Sequence, residues 1–495
     1  MNRFVCVHGH FYQPPRENPW TGKVEQEASA APFHDWNERI TSECYAPNAA
    51  AGNYARMSFN FGPTLLSWLE REAHEVYERV LAADRESQAK FSDHGSAIAQ
   101  AHSHMILPLA SSRDKRTQVR WGVRDFERRF GRPPEGMWLP ETAVDLETLE
   151  TLAEEGIRFT ILAPHQMHTW RRVGEGGWRD ARAGDLDTRR PYAAALPSRR
   201  PIALFFYDGP ASNAIAFGEL ARGGEALAGR LTSLLAEAPE PQLASVATDG
   251  ETYGHHFKRG ERVLAEALSS IEARGAARLT NFGEYLASNP PDFEAQIVEN
   301  TSWSCTHGVG RWREDCGCAT GEHPGWTQSW RAPLRSALDW LRDELAARFE
   351  AAGRELFRDP WRARDESLPV LSGGPEEAEE FFRIQAARVL SGEDRRAALG
   401  LLEMQRYAML MFASCGWFFD DPAGLETRQI LRFAARAIEL SGPGAGLLEE
   451  EFLKRLEPVA SNDPAAGDGR RIYEDSVNHK SPITNHQSFG RIGLL

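Results

Sequence analysis

The chain has 495 residues, 41% hydrophobic and 26% charged, with 57 Lys and Arg against 71 Asp and Glu and a formal net charge of −14. That apolar content excludes global disorder, and the length suggests two or three domains, or one large barrel with an appendage. The acidic balance argues against nucleic acid and anionic membrane as partners, because both demand a basic face; a neutral or cationic substrate is easier to accept. No run of about 18 apolar residues is present to cross a bilayer. Residues 1–15 are too short a stretch, and too rich in His, for a secretory leader, and predict a strand that starts the fold. Six cysteines in a chain of this size do not make a disulfide framework, so a reducing cytoplasm is the expected home.

The first 290 or so residues alternate β-type runs with helical stretches, the pattern of parallel α/β construction. Strands are expected at Arg3–His8, Arg56–Asn60, Lys90–Ser92, Gly136–Leu139, Ile157–Ala163, Ile202–Tyr207 and Ala244–Thr248. Asp145 to Gly156 reads as a helix with an Asp N-cap, early acids and a Gly stop, leading directly into the fifth of these strands. Several strands end in polar residues: His8 and His10, Asp93, Glu141, Asp208 and Asp249. In a parallel barrel such groups gather at the C-terminal mouth. About seven units can be counted, one short of an eight-fold barrel. The expected organisation is a catalytic barrel over 1–298, an ordered Trp/Cys-rich connecting loop over 299–331, an α-helical domain over 332–460 and a polar tail over 461–495. Helices in the third part are expected at Gln328–Ala352, Pro375–Leu390, Asp394–Ala413, Leu425–Leu440 and Leu447–Leu456.

The phosphate-binding loop, the dinucleotide fingerprint, the His-Glu-x-x-His motif and the nucleophile elbow are all missing from the sequence. What remains is carboxylates, imidazoles and aromatics. His8 and His10 of His-Gly-His-Phe-Tyr-Gln13 share one face of a strand, suited either to a metal or to hydrogen bonding with a polyhydroxylated ligand, or else simply to capping buried polar groups. Glu141 ends the run Gly136-Met-Trp138-Leu-Pro-Glu141, and is either a rim carboxylate or a first-turn acid facing a helix dipole. Asp249, Glu251, Tyr253, His255 and His256 fall within eight positions, with Gly250 and Gly254 allowing a ligand close. Glu141 and Asp249, from two strands facing one cleft, make the carboxylate pair that glycosidic cleavage requires.

His-x-His near the start, Trp-Leu-Pro-Glu, and Asp-Gly-Glu-x-x-Gly, in this order, resemble glycoside hydrolase family 57. Ala101-His-Ser-His104-Met-Ile-Leu-Pro-Leu109 and Ser58-Phe-Asn-Phe-Gly62 agree with it, and Ser302 to Trp312 is similar to an alpha-amylase/alpha-mannosidase-like branch. The resemblance runs from residue 1 to about 460 and implies an incomplete (β/α)7 TIM-like barrel followed by an α-helical domain, acting on α-glucans by a retaining mechanism. Carried over position by position, it makes Glu141 the nucleophile and Asp249 the general acid/base, whose pKa must be raised to keep it protonated near neutral pH. His10 and His8 would line the sugar site, with Glu251 close by. Gln13, His104, Trp138 and His255 join the implied substrate-binding set from the same motifs. The family's Gly-Asn-His-Glu element is absent; its Tyr-Trp-rich motif finds its nearest counterpart in Ser414 to Asp421, which adds Trp417 and Asp420.

Pyranose faces stack on aromatic rings, and among the 14 Trp, Trp303 and Trp417 are the expected platforms. Cys305, His307, Cys316 and Cys318 could hold a structural zinc, although Cys-x-Cys is tighter than the usual knuckle; without metal they are small buried groups or a redox-sensitive trio. No cofactor is otherwise expected, and the partner is an oligo- or polysaccharide substrate. The rival readings are a metal-dependent deacetylase or α-mannosidase-like hydrolase, with His8, His10 and Asp93 or Asp249 as ligands, and a non-catalytic carbohydrate-binding relative.

Overall fold

A computed structural model describes residues 2–184, 186–321 and 323–477. The chain divides into two compact units. The first comprises Met1–Pro15, Gln26–His102 and Gly122–Ser304; the second comprises Arg16–Glu25, Ser103–Trp121 and the chain from Cys305 on.

The first unit is mixed α/β and is organised by its opening strand, Arg3–Phe11. Seven of its nine residues are buried, so it is covered on both faces like a parallel strand. It pairs in parallel with Gln242–Asp249, from Arg3 opposite Gln242 to His10 opposite Asp249, and with Ser58–Phe61, where His8 meets Ser58 and His10 meets Asn60. The parallel pairings continue through Phe59 to Ala97, from Ala99–Gln100 to Met137–Trp138, from Gly136 to Phe159, and from Phe159–Leu162 to Ala203–Phe206. The amide of Asp208 then donates to Ser245 O at 2.8 Å, bringing the succession back to Gln242–Asp249. Because every pairing is parallel, the C-terminal ends of these strands share one end of the layer. Trp138, Phe159, Ile161, Phe205, Leu243, Phe282 and Tyr285 pack as one buried cluster beneath it.

Asp145 accepts the Thr148 amide at 2.7 Å as the N-cap of Leu146–Glu154, and Gly156 takes a left-handed φ of 84° at the stop. The strand expected at Lys90–Ser92 is corrected. Tyr77, Val80, Leu81, Asp84 and Ser87 form the buried stripe of a helix, His74–Lys90, and Phe91 is the last member of that helical pattern rather than the centre of a strand. Ser92 and Asp93 are left-handed turn residues, both exposed, so Asp93 is not a strand-end carboxylate. The strand in that part of the chain is the short Ala99–Gln100. Asp208 caps the helix Gly209–Phe217 by accepting the Ala211 amide at 2.8 Å. The strands Met167–Arg172, Arg179–Asp180, Tyr192–Ala194 and Phe293–Ile297, paired antiparallel except between the last two, extend the sheet beyond the strands expected from sequence.

The second unit is helical, with Arg331–Leu356, Gly392–Leu410 and Leu425–Leu440 as its main elements. Two segments from early in the chain belong to it. Trp20 Nε1 donates to Glu439 at 2.6 Å, and the buried Arg364 and Asp114 pair at 2.6 Å. Part of the expected tail is ordered as well: Gly469–Val477 is a helix with Ile472 and Tyr473 buried, and Tyr473 OH donates to Glu449 at 2.8 Å. The remaining tail, from residue 478, lies outside the described residues. No described helix is long and apolar enough to cross a membrane.

Candidate active site

The period-2 alternation of the opening strand puts His8 and His10 on one face. Both are buried, and burial pushes both imidazoles down to about 3, so they are neutral at physiological pH. Their partners come from the neighbouring strand, where Ser58 and Asn60 alternate with Phe59 and Phe61. Ser58 Oγ lies 3.0 Å from His8 Nδ1, and Asn60 Oδ1 lies 3.1 Å from His8 Nε2. Asn60 Nδ2 is 2.9 Å from His10 Nδ1 and 2.7 Å from Gln100 Oε1. One proton assignment satisfies the whole chain: Ser58 donates to His8 Nδ1, His8 Nε2–H to Asn60 Oδ1, and the Asn60 amide to both His10 Nδ1 and Gln100. It leaves the His10 proton on Nε2. Trp138 lies against both imidazoles, at 4.8 Å from His8 and 5.0 Å from His10.

Three residues beyond Trp138 the backbone turns sharply. Glu141 and Thr142 have φ of 57° and 50°, a left-handed conformation that costs non-glycine residues energy and often marks functional positions. The turn is held by Trp303 N donating to Glu141 O at 3.0 Å and by the bridge between Val144 and Thr301. Glu141 is half-buried. Its Oε2 accepts from Trp303 Nε1 at 3.1 Å and from Ser304 Oγ at 2.6 Å. Trp303 stands edge-on to Trp138 at 5.0 Å, and lies 6.2 Å from His10 and 6.5 Å from Tyr207.

Asp249 ends the strand opposite His10. It is open to solvent, yet burial by surrounding protein and then the charge of Glu141 push its carboxyl up to about 7. A group lining a cleft satisfies both facts, being reachable by water but enclosed on most sides. Glu251 is buried, accepts from Tyr45 OH at 2.6 Å and Tyr12 N at 3.1 Å, and is pushed up to about 8, chiefly by burial. Its folded state therefore holds a proton that the unfolded chain releases near pH 4.5, so this group costs stability progressively as pH rises from about 4.5 to about 8. The wild-type unfolding free energy should fall across that window, by up to about 1.4 kcal/mol per pH unit from this group, with the thermal midpoint falling alongside it, and Glu251→Gln should flatten the decline. Thermal melts at a series of pH values check this; parallel curves for the two proteins would exclude a protonated Glu251.

The two glycines of this loop are required by the packing of the protein itself. A Cβ on Gly250 would lie 2.3 Å from the Phe11 ring, and one on Gly254, where φ is 143°, would lie 2.5 Å from Glu43 O. His255 pairs with Glu43, and Gln13 Nε2 donates to Tyr12 O at 2.9 Å.

The first unit thus brings together His8, His10, Trp138, Glu141, Asp249, Glu251 and Trp303. Three other expected binding residues lie in the second unit and are engaged there. His104 is buried with Nδ1 2.6 Å from Ser414 Oγ. Trp417 is 1% exposed and stacked on Phe412, so it is a core aromatic and not a sugar platform. Asp420 is buried, anchoring Thr320 through its amide and hydroxyl. Cys305, His307, Cys316 and Cys318 converge, with ligand atoms all within 4.8 Å of one another. Sequence reasoning missed Asn60, Gln100, Tyr45 and Ser304. For Asn60 a signal existed, since Ser58 and Asn60 alternate with two Phe; for the others nothing local marks them.

The glycosyl hydrolase family 57 model matches residues 34–296, and a domain of unknown function (DUF3536) matches residues 326–487. Alpha-amylase 1 of Dictyoglomus thermophilum is 27% identical over 106 residues, which span 21% of this chain and only 15% of the amylase. Among solved structures, the exo-type maltose-forming amylase of Pyrococcus sp. ST04 is similar, with a TM-score of 0.69 at 15% identity, covering 91% of this chain and 83% of its own. The branching enzyme of Pyrococcus horikoshii gives 0.56 at 16% identity, covering 98% and 96%. These likenesses show a shared mixed α/β fold, and the family match extends over more than half of the sequence. The chain belongs to glycosyl hydrolase family 57.

Proposed function

We propose that the protein is a retaining glycoside hydrolase or glucanotransferase for α-linked glucans, with Glu141 as nucleophile and Asp249 as general acid/base. The observation that carries this reading is the opposite environment of the two carboxyls. Two donors converge on one oxygen of Glu141 and favour its ionised form, while burial and the Glu141 charge hold a proton on Asp249. In the first step a Glu141 oxygen attacks the anomeric carbon, the glycosidic bond breaks, and the Asp249 proton passes to the leaving oxygen. In the second step Asp249 takes a proton from water or from a sugar hydroxyl, whose oxygen displaces Glu141. Water as acceptor gives hydrolysis; a sugar hydroxyl gives transfer.

The neutral pair His8 and His10 suits hydrogen bonding to uncharged hydroxyls, and Trp303 offers a half-buried ring edge beside them. Gln100 Nε2 and Trp138 Nε1 are buried donors without a protein partner among the described residues, which a hydroxyl-rich ligand would satisfy. The substrate class is supported by the relatives, which are amylases and a branching enzyme. The ring of parallel pairings supports an incomplete (β/α)7 barrel as the scaffold, and six free cysteines fit a reducing cytoplasm. The metal-dependent reading loses ground because both nitrogens of His8 are engaged by Ser58 and Asn60, and Asp93 is an exposed turn residue.

Incubation with maltoheptaose, following product sizes over time, tests the reading. Shorter oligomers alone mean hydrolysis, and shorter and longer ones together mean transfer. Turnover that stops at once on adding a chelator, yet survives Glu141→Gln, would overturn the carboxylate mechanism.

A further inference from the structure

We propose that Cys305, His307, Cys316 and Cys318 form a structural zinc site in the second unit. The site lies between the two family matches, which end at residue 296 and begin at residue 326. A tetrahedral zinc with bonds of about 2.3 Å to sulfur and 2.0 Å to nitrogen sets its sulfurs about 3.8 Å apart, and sulfur and nitrogen about 3.5 Å apart. Three of the six separations match those edges: Cys305 to Cys318 is 3.7 Å, Cys305 to Cys316 is 3.9 Å, and Cys318 Sγ to His307 Nδ1 is 3.5 Å; the others lie within 4.8 Å, so the ion would draw the four groups together. Three unbonded thiols have no packing reason to gather around one point with an imidazole beside them.

Two further observations point to an ion at this place. Gly317, between Cys316 and Cys318, has φ 74°, a left-handed turn that lets both flanking sulfurs aim at one point despite the tight Cys-x-Cys spacing. Arg331 is fully buried, with Nη1 2.8 Å from Cys318 O and 3.9 Å from Cys316 Sγ, and Nη2 bonding the carbonyls of Phe418 and Phe419. A buried guanidinium needs compensating negative charge, of which the nearby Asp420 carboxylate supplies a part. Three thiolates around a divalent ion carry a net charge of minus one, which Arg331 balances at close range.

The site's role is to tie together the two ends of a loop whose middle is anchored by the buried Val309, Arg311 and Trp312. Between Cys305 and Cys318 the regular structure is a single helical turn, Gly310–Trp312, with Trp312 Nε1 donating to Ser414 O at 3.2 Å. Four protein ligands leave no open position, so the ion takes no part in chemistry.

The test is the metal content of the full-length protein, purified under reducing conditions without chelator or added metal. One zinc per chain is expected in the wild type, falling to background in Cys305→Ser and Cys318→Ser. Cobalt(II) added to metal-depleted protein should give the intense ligand-field and thiolate charge-transfer bands of a tetrahedral site. Because His307 is exposed, His307→Cys should fold, keep its metal and strengthen the charge-transfer band. A wild type without zinc and with all three thiols titratable, a disulfide among them, or zinc content unchanged in the variants would each overturn the site. None of these readouts depends on glycosidase activity, so failure here is separate from failure of the carboxylate mechanism.

Discussion

Glu141→Gln should lower kcat on maltoheptaose by on the order of 10⁴-fold with little change in KM, because an amide of the same shape keeps the hydrogen bonds of the site but cannot attack an anomeric carbon. Ser304 Oγ and Trp303 Nε1 would still find an oxygen acceptor at this position, so the fold around the turn should survive. The role, as distinct from the loss, is identified by rescue. In Glu141→Ala, azide fills the vacated space and attacks an activated α-maltosyl fluoride from the opposite face, giving the β-azide. In Asp249→Ala, azide attacks the glycosyl-enzyme instead, giving the α-azide. Activity of Glu141→Gln within tenfold of wild type, or azides of the reverse configuration, would remove Glu141 from the nucleophile's place.

Asp249→Asn should divide substrates by leaving group. Maltoheptaose needs a proton on its departing oxygen and should lose about 10²–10⁴-fold in kcat/KM, whereas fluoride leaves unaided and its glycosylation step should change by less than about tenfold. The pH profile depends on the same residue. With its carboxyl held up to about 7 by burial and by Glu141, the wild-type kcat/KM should fall as pH rises through about 7. That alkaline limb should vanish in Asp249→Asn. In Glu141→Gln, the residual activity with maltoheptaose should show the limb at lower pH, since removing a neighbouring negative charge eases ionisation. An alkaline limb unmoved by both substitutions would assign it to another group.

The parts of this site that local pattern makes legible are those fixed by the covalent sequence of one element. Two residues apart on a strand is enough to align His8 with His10, and Asp145 placed three residues before Thr148 is enough to start a helix, because backbone geometry alone sets both. The family resemblance, resting on the order of three motifs, also named Glu141 and Asp249. Local pattern misled where an element's period was short. Phe91 looks like a strand residue in a three-residue window, and reveals itself as the end of a helical stripe only when Tyr77, Val80, Ser87 and the rest are read together. Trp417 shows a similar limit, since its place in a stretch matched to the family's aromatic motif does not reveal that the helices around it close over its ring.

By itself, then, the sequence determined the α/β character of the first 300 or so residues, the helical character of the C-terminal part, and the placing of His8, His10 and Asp249 towards the ends of their strands, though not of Asp93. Each depends on periodicity or on neighbours within a few positions. Only the tertiary structure decided that Asn60 and Gln100 complete the histidine network, that Ser304 holds Glu141 from 163 residues away, and that Arg16–Glu25 and Ser103–Trp121 belong with the helical unit. It also decided that Asp249 is enclosed by protein and lies within reach of the Glu141 charge, which together push its carboxyl up. These are through-space effects: strand register, hydrogen bonds across large sequence separations and the local dielectric depend on where the chain returns, and a linear pattern does not carry that information.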